Sequence, residues 1–233
     1  MPPWLEIDEE LAAKVKNLVA EALHSTPAPS PAVALEVTRQ ILQLADRIIE
    51  EFETVHALPH PIVCQAGCSF CCHNQVQLTP PEAFLLGYML QSYASPEKQQ
   101  AVTEMVIREA GRKRGQTPAR LAAGRKANPC PLLLGDRCGL YPWRPLMCRA
   151  MHSFDAAHCR SSLERGDLAA DACYLHRHVF AVSLSKGLQE GFRVLGCRPA
   201  TLEMSQALEV VLTEPDALSR WLRGKEVFRP QGE

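Results

Sequence analysis

The chain has 233 residues, 46% hydrophobic and 22% charged, with a net charge of −1 and a pI near 6.7. These values are ordinary for a globular protein with room for one full core or two small ones, and they imply neither a nucleic acid nor an anionic membrane as a partner. The apolar runs are short, such as Leu132 to Leu134, so no segment spans a bilayer.

The amino-terminal stretch MPPWLEIDEELAAK has no basic start and no apolar run of seven or more residues, so it does not read as a secretory signal. The expected location is the cytoplasm, where thiols are kept reduced. Asp8 to His24 reads as a first helix, with Leu11, Val15, Leu18 and Ala22 on its apolar stripe and Asp8 as its cap. The Pro/Ser stretch STPAPSPA, residues 25–32, is a linker. Ser30 and Pro31 then open a long helix with a stripe of Val33, Val37, Ile41, Leu44, Ile48, Phe52 and Val55. Two prolines after His56 end it and lead to the stretch PIVCQAGCSFCCHNQ, residues 61–75.

Beyond that stretch, Thr79 and Glu82 have capping-box spacing, and a helix is expected from about Pro81 to Tyr93. Ser95-Pro96 starts another to about Arg112, and Thr117-Pro118 a shorter one. Asn128 to Arg149 carries four prolines, two glycines and three cysteines, and reads as a hairpin at Gly135-Asp136 followed by irregular loop. Helical patterning returns after Gly166-Asp167, through Ala172, Leu175, Val179 and Val182, then Leu184, Leu188, Phe192 and Leu195. Two last helices are expected at about Thr201 to Thr213 and Pro215 to Leu222. The fold class is therefore mainly α, a helical domain enclosing an irregular, cysteine-rich metal-binding core. It divides into residues 1–60, a helical segment; 61–160, the cysteine region; and 161–233, a second helical segment, together one compact domain.

The chemistry is in the ten cysteines. Cys64, Cys68, Cys71 and Cys72 fall within nine residues, and Cys130, Cys138 and Cys148 form a second, wider group. A disulfide framework does not suit a chain of this size with no export signal, and a vicinal Cys71–Cys72 bridge would close a strained eight-membered ring. Clustered thiols in a reducing compartment point to a soft metal centre instead. Short spacings let the first loop wrap a centre, and Gly67 permits the turn. Adjacent side chains diverge, so Cys71 and Cys72 do not both suit one small ion: one of them belongs elsewhere, or the centre is larger than one ion. The second group is placed to complete the same centre. Zinc and iron–sulfur clusters both take thiolates in this way.

The Cys64-x3-Cys68-x2-Cys71 spacing, with Phe70 before the third thiol, is similar to the cluster loop of the radical S-adenosylmethionine enzymes. That loop follows the first strand of a βα barrel, whereas here a long helix and a Pro-rich turn precede it. A closer likeness lies in Cys64-x3-Cys68-x2-Cys71-Cys72, then Cys130-Pro131-Leu132, then Cys138 to Arg149 with its Tyr141, Arg144-Pro145 and Cys148-Arg149. This pattern resembles the YkgJ-type cysteine-cluster family, described as chelating zinc or iron, over about Cys64 to Cys159. The resemblance implies metal binding by Cys64, Cys68, Cys71, Cys72, Cys130, Cys138 and Cys148, and it implies no reaction. The flagellin lysine N-methylases carry a similar cluster, which keeps an iron–sulfur modification enzyme among the readings.

Cys159, Cys173 and Cys197 are not assigned by the pattern. His73 and His152 are the nearest non-cysteine ligands in sequence, and Cys173 and His176 are spaced to share a helix face. Arg144 and Arg149 flank Cys148, either offsetting thiolate charge or forming surface salt bridges. Tyr141 and Trp143 pack the hairpin region, and the basic run Gly111 to Gly115 reads as a solvated helix end. The favoured reading is a cytoplasmic metalloprotein with an iron–sulfur cluster, such as a [4Fe–4S] centre, or iron, in a redox or protein-modification reaction on a protein partner or substrate. The alternatives are a structural zinc domain that docks a partner, and a protein that stores or delivers metal.

Overall fold

The computed structural model describes residues 6–24, 30–93, 95–166 and 172–228. The described residues form ten helices: α1 (Glu9–His24), α2 (Pro31–Val55), α3 (Pro80–Tyr93), α4 (Pro96–Lys113), α5 (Pro118–Ala123), α6 (Leu146–Ala150), α7 (Ala156–Arg165), α8 (Leu175–Arg193), α9 (Met204–Thr213) and α10 (Ala217–Leu222). Two small antiparallel pairs complete the fold. β1 (Gln77–Leu78) pairs with β4 (Leu202–Glu203), and β2 (Leu133–Leu134) with β3 (Arg137–Cys138). The mainly α class is as the sequence indicates. The greater part of the 25–32 linker and the turn after Gly166 lie outside the described residues.

The helix starts follow local chemistry. The Leu11 N–H donates to Asp8 Oδ1 at 2.9 Å and the Val33 N–H to Ser30 Oγ at 3.2 Å, each satisfying an orphan first-turn donor. Ser95 and Thr117 cap α4 and α5 in the same way, each ahead of a first-turn proline. The hairpin forms at the expected place, with Gly135 at φ 62° in its two-residue loop. Three features depart from the sequence reading. α6 forms at Leu146–Ala150, where irregular loop was expected after the hairpin. α7 was not expected, because AAHCRSSLER has almost no apolar stripe; Asp155 starts it by accepting the His158 N–H, and Gly166 at φ 80° ends it. The β1–β4 pair is too short to carry an alternation signal.

The buried faces are also rotated from the expected stripes. On α1 the core residues are Ala12, Val15, Val19 and Leu23, while Leu18 is exposed. On α2 they are Ala34, Val37, Thr38, Ile41, Leu42, Ala45 and Ile49, and Val55 lies in solvent. The cause on α1 is its close approach to α8. A Cβ added at Gly187 would stand 2.5 Å from the Ala12 carbonyl oxygen, and one at Gly191 2.5 Å from Val19 Cβ. The absent side chains let the backbones meet and set which face of α1 turns inward. α3 is buried nearly all round, through Ala83, Phe84, Leu85, Leu86, Met89 and Leu90, so it is the central helix. Trp221 of α10 closes one end of the core against Phe84 and Phe192.

Glu82 joins this core to the cysteine region. Its carboxylate accepts the Thr79 N–H at 2.8 Å and the Thr79 hydroxyl at 2.6 Å through one oxygen. Through the other it accepts the Leu146 N–H at 2.8 Å, at the start of α6. Half of the expected capping box is therefore present, and the spare oxygen holds the helix that carries Cys148. Burial pushes the Glu82 carboxyl up, and the three donors oppose that shift.

Replacing Gly187 with alanine is expected to lower thermal stability. Overpacking costs about 1–3 kcal/mol, which outweighs the roughly 1 kcal/mol that alanine gains over glycine in a helix. Glu82→Gln leaves one acceptor facing three donors and is expected to cost about 1–3 kcal/mol in denaturant unfolding.

Candidate metal centre

The first cysteine loop is pinned before it turns. The Val63 N–H donates to the Ser153 carbonyl at 3.0 Å, and the Ser153 N–H donates back to Cys64 Sγ at 3.2 Å. Gly67, at φ 93°, then reverses the chain, and the Cys68 N–H bonds the Gln65 carbonyl at 3.0 Å. Residues Phe70–His73 form a single 3-10 turn that sets Cys71 and Cys72. The Cys130 N–H donates to the Cys72 carbonyl at 2.7 Å, laying the second cysteine segment beside the first. β3 presents Cys138, and α6, tethered through Glu82, presents Cys148.

All seven cysteines singled out by the sequence, Cys64, Cys68, Cys71, Cys72, Cys130, Cys138 and Cys148, line one cavity of about 470 Å³. The remaining three do not. Cys197 is buried in the core near the Leu222 carbonyl, Cys159 sits on α7 close enough to raise Cys64 and Cys68 by its charge, and Cys173 precedes α8. Among the described residues no three His, Cys, Asp or Glu side chains already converge as the ligands of a single ion. The thiols share a cavity without meeting at one point.

Burial raises the thiols of Cys64, Cys68 and Cys138, pushes Cys130 up to about 12, and raises Cys148 well above the ordinary range. Cys71 is raised first by its hydrogen bond with Cys72 and then by burial. Cys71, Cys130 and Cys148, the thiols raised most, stay protonated until a cation compensates the charge. The donor set therefore fits a soft metal or an iron–sulfur cluster in chemistry and number.

Cations stand around the thiols. Arg149, 2% exposed, donates to Asp46 at 3.0 and 3.1 Å and to the Pro142 carbonyl at 2.9 Å. Arg144 reaches the same Asp46 at 3.3 Å and lies 4.2 Å over the Tyr141 ring. Both form the salt bridge that was one reading of the sequence, to the half-exposed Asp46, and Arg149 does so from a buried position; together they tie the chain on both sides of Cys148 to α2. Lys113 and Glu203 form a buried pair at 3.0 Å on the cavity wall, with Ser205 Oγ 3.1 Å from the Lys113 ammonium. Met204 adds a thioether 3.5 Å from Cys130 Sγ. Sequence reasoning missed Glu203 and Met204, which carry no motif and reach the cavity with the β1–β4 pair, and the basic run Gly111 to Gly115 is corrected at Lys113, which ends α4 buried in an ion pair rather than solvated.

The histidine candidates are corrected. His73 and His152 are not on the cavity wall. His152 has both ring nitrogens engaged: Nδ1 is 2.7 Å from the Ala150 carbonyl, and Nε2 accepts the Tyr174 N–H at 2.7 Å. It is a neutral brace rather than a ligand. His176 shares no helical face with Cys173, because α8 begins only at Leu175. It pairs instead with Glu53 at 2.8 Å and stacks on Phe52.

The His152 brace gives a pH signature. Burial first, then the charges of Arg177, His178 and His176, lower it from 6.5 to about 4. An imidazole lowered on folding contributes stability at pH above its unfolded value, and that stability is lost as pH falls toward its folded value. Unfolding of metal-free protein by urea is therefore expected to become easier between about pH 6.5 and 5, while thiols stay protonated in both states. His178, lowered by burial in the same direction, retains part of the slope in a His152→Gln variant, whose dependence on pH should be shallower than that of wild type.

Residues 63–173, just under half of the chain, match the family model CxxCxxCC, whose description reads "Putative zinc- or iron-chelating domain". No curated protein and no solved structure matches the chain. The match begins one residue before Cys64, runs past Cys159 to Cys173, and takes in every thiol on the cavity wall. Over residues 63–173 the chain is thus similar to a cysteine domain described as chelating zinc or iron.

Proposed function

We propose that the cavity holds an iron–sulfur cluster, and that the protein uses it in a redox or protein-modification reaction. The carrying observation is that seven thiols from three separate stretches of chain line one cavity of about 470 Å³, more donors than one tetrahedral zinc takes. A tetrahedral zinc takes four thiolates at about 2.3 Å, which draws their sulfurs to a single point. A cluster spreads its ligands over several iron atoms and suits a wider ring of donors. The cavity also lies within the roughly 300–1,000 Å³ of small-molecule sites, which leaves room for a cluster. On its wall, Tyr141 is 61% exposed, which suits contact with a protein partner or substrate.

The cysteines supply thiolates, and Lys113, Arg144 and Arg149 offset part of the resulting charge. The Met204 and Met151 thioethers and the apolar wall limit water around the centre. When bound, the cluster supplies one-electron redox capacity. Where a ligand position is open, it also supplies a place for a substrate atom.

The test is iron, acid-labile sulfide and zinc per chain in protein made and kept without oxygen. Iron and sulfide in near-equal amounts, with a brown colour and absorption near 400 nm, are expected. One tightly held zinc with neither iron nor sulfide overturns the proposal in favour of a structural zinc domain that docks a partner. Many loosely held ions point to storage or delivery.

A further inference from the structure

The thioether of Met204 meets the cavity from chain that the cysteine pattern does not cover. Met204 is 4% exposed, and its Sδ is 3.5 Å from Cys130 Sγ, whose thiol donates toward it. Both residues line the cavity. In a tetrahedral site with metal–sulfur bonds of about 2.3 Å, two ligand sulfurs stand about 3.8 Å apart. The two sulfurs therefore already have close to the spacing of neighbouring ligands on one metal atom. The remaining difference, roughly 0.3 Å, is within the reach of a small side-chain adjustment.

Packing alone also brings sulfurs this close, so the way Met204 is held matters. The Lys113 ammonium bonds Glu203 Oε1 at 3.0 Å and Ser205 Oγ at 3.1 Å, the two residues that flank Met204. Glu203 Oε2 also accepts the Gln206 N–H at 3.0 Å, and Glu203 lies opposite Gln77 in the β1–β4 pair. Lys113, Glu203 and Ser205 are all buried. A buried ion pair carries a desolvation cost that a plain packing contact does not require. Here it anchors the backbone on both sides of a methionine, whose unbranched side chain is otherwise among the most adaptable. A ligand needs that kind of anchoring, since a loosely held donor does not fix a metal's geometry. Met151, the other methionine on the wall, is engaged differently: its Sδ accepts the Asn74 amide at 3.6 Å.

We propose that Met204 Sδ is a ligand of the metal centre, beside Cys130. Cys130 Sγ releases its proton to solvent as it forms a sulfur–metal bond, and the Met204 sulfur donates a lone pair with no proton to lose. A thioether is soft and neutral, so it joins the thiolates in selecting soft metals and leaves the centre less negative than a further thiolate would. That favours the reduced state, as methionine ligation does at haem iron. The proposal rests on the cavity holding a metal centre but not on that metal being iron. It assigns a ligand beyond the family match, which ends at residue 173.

The experiment is X-ray absorption at the selenium edge, on metal-loaded protein made with selenomethionine and kept without oxygen. Met204 is one of six methionines, so about one sixth of the selenium should have a metal neighbour. The expected separation is about 2.4 Å, close to a thiolate bond. That neighbour should vanish in Met204→Leu, a nearly volume-conserving change that keeps the core filled. In the same variant, release of metal to a chelator is expected to be about tenfold faster than in wild type, a modest value for loss of a metal contact. Selenium without a metal neighbour in the unsubstituted protein, or a neighbour that persists in Met204→Leu, overturns the proposal. Where Met204→Leu does not fold, loss of the neighbour in Met151→Leu becomes the overturning result. The metal content of the same sample separates this idea from the iron–sulfur reading. A selenium–zinc neighbour with neither iron nor sulfide leaves Met204 a ligand and removes the cluster, and iron and sulfide with no metal beside selenium does the reverse.

Discussion

A thiol enclosed by protein gives up its proton only where another positive charge replaces it, and the cysteine region is organised around that constraint. Cys130, Cys138 and Cys148 are all raised by burial, and Cys71 by its neighbour and by burial. Loops of this irregular kind gain little from regular hydrogen bonding. Their order depends on side-chain anchors such as Glu82 and Asp46, and on the charge that a bound metal would bring. In a structural zinc site, metal binding adds on the order of 10 kcal/mol to folding. An iron–sulfur centre with several thiolate bonds acts on the same loops through the same linkage.

The helices serve this arrangement from outside. α3 is the common wall: one flank packs the core, and its first turn carries Glu82, which fixes the start of α6. Asp46 on α2 holds Arg144 and Arg149 together. The closing side comes from the far end of the sequence, where Glu203 pairs with Lys113 and Met204 touches Cys130. The family match stops at Cys173, so these contacts come from chain that the cysteine pattern does not describe.

Much of this was legible in the sequence. Caps at Asp8, Ser30, Ser95 and Thr117 marked helix starts, because a short polar side chain before a proline or an apolar stripe has few other uses. Cysteine spacing, with the family pattern, picked out the seven thiols that share the cavity. What failed did so for identifiable reasons. The stripes on α1 and α2 were drawn from hydrophobicity alone, whereas contact at Gly187 and Gly191 sets which face of α1 is inside. His152 looked like a ligand because ring nitrogens bind metals, yet two backbone groups already use both of its nitrogens. Glu203 was invisible and Lys113 was read as solvated, because a buried ion pair between residues 90 apart has no local pattern.

The β1–β4 pair has a consequence for the order of events during synthesis. The last cavity cysteine is Cys148, but the wall bearing Glu203 and Met204 arrives with β4, more than fifty residues later. At about 5–20 residues per second, several seconds separate the two on a ribosome. Throughout that interval the seven thiols are made while the cavity still lacks a side. A centre inserted then enters an open cradle and is enclosed as β4 docks. One inserted afterwards meets a wall that Glu203 and Met204 already complete. The timing of metal supply relative to translation thus becomes a property written into the strand order of this fold.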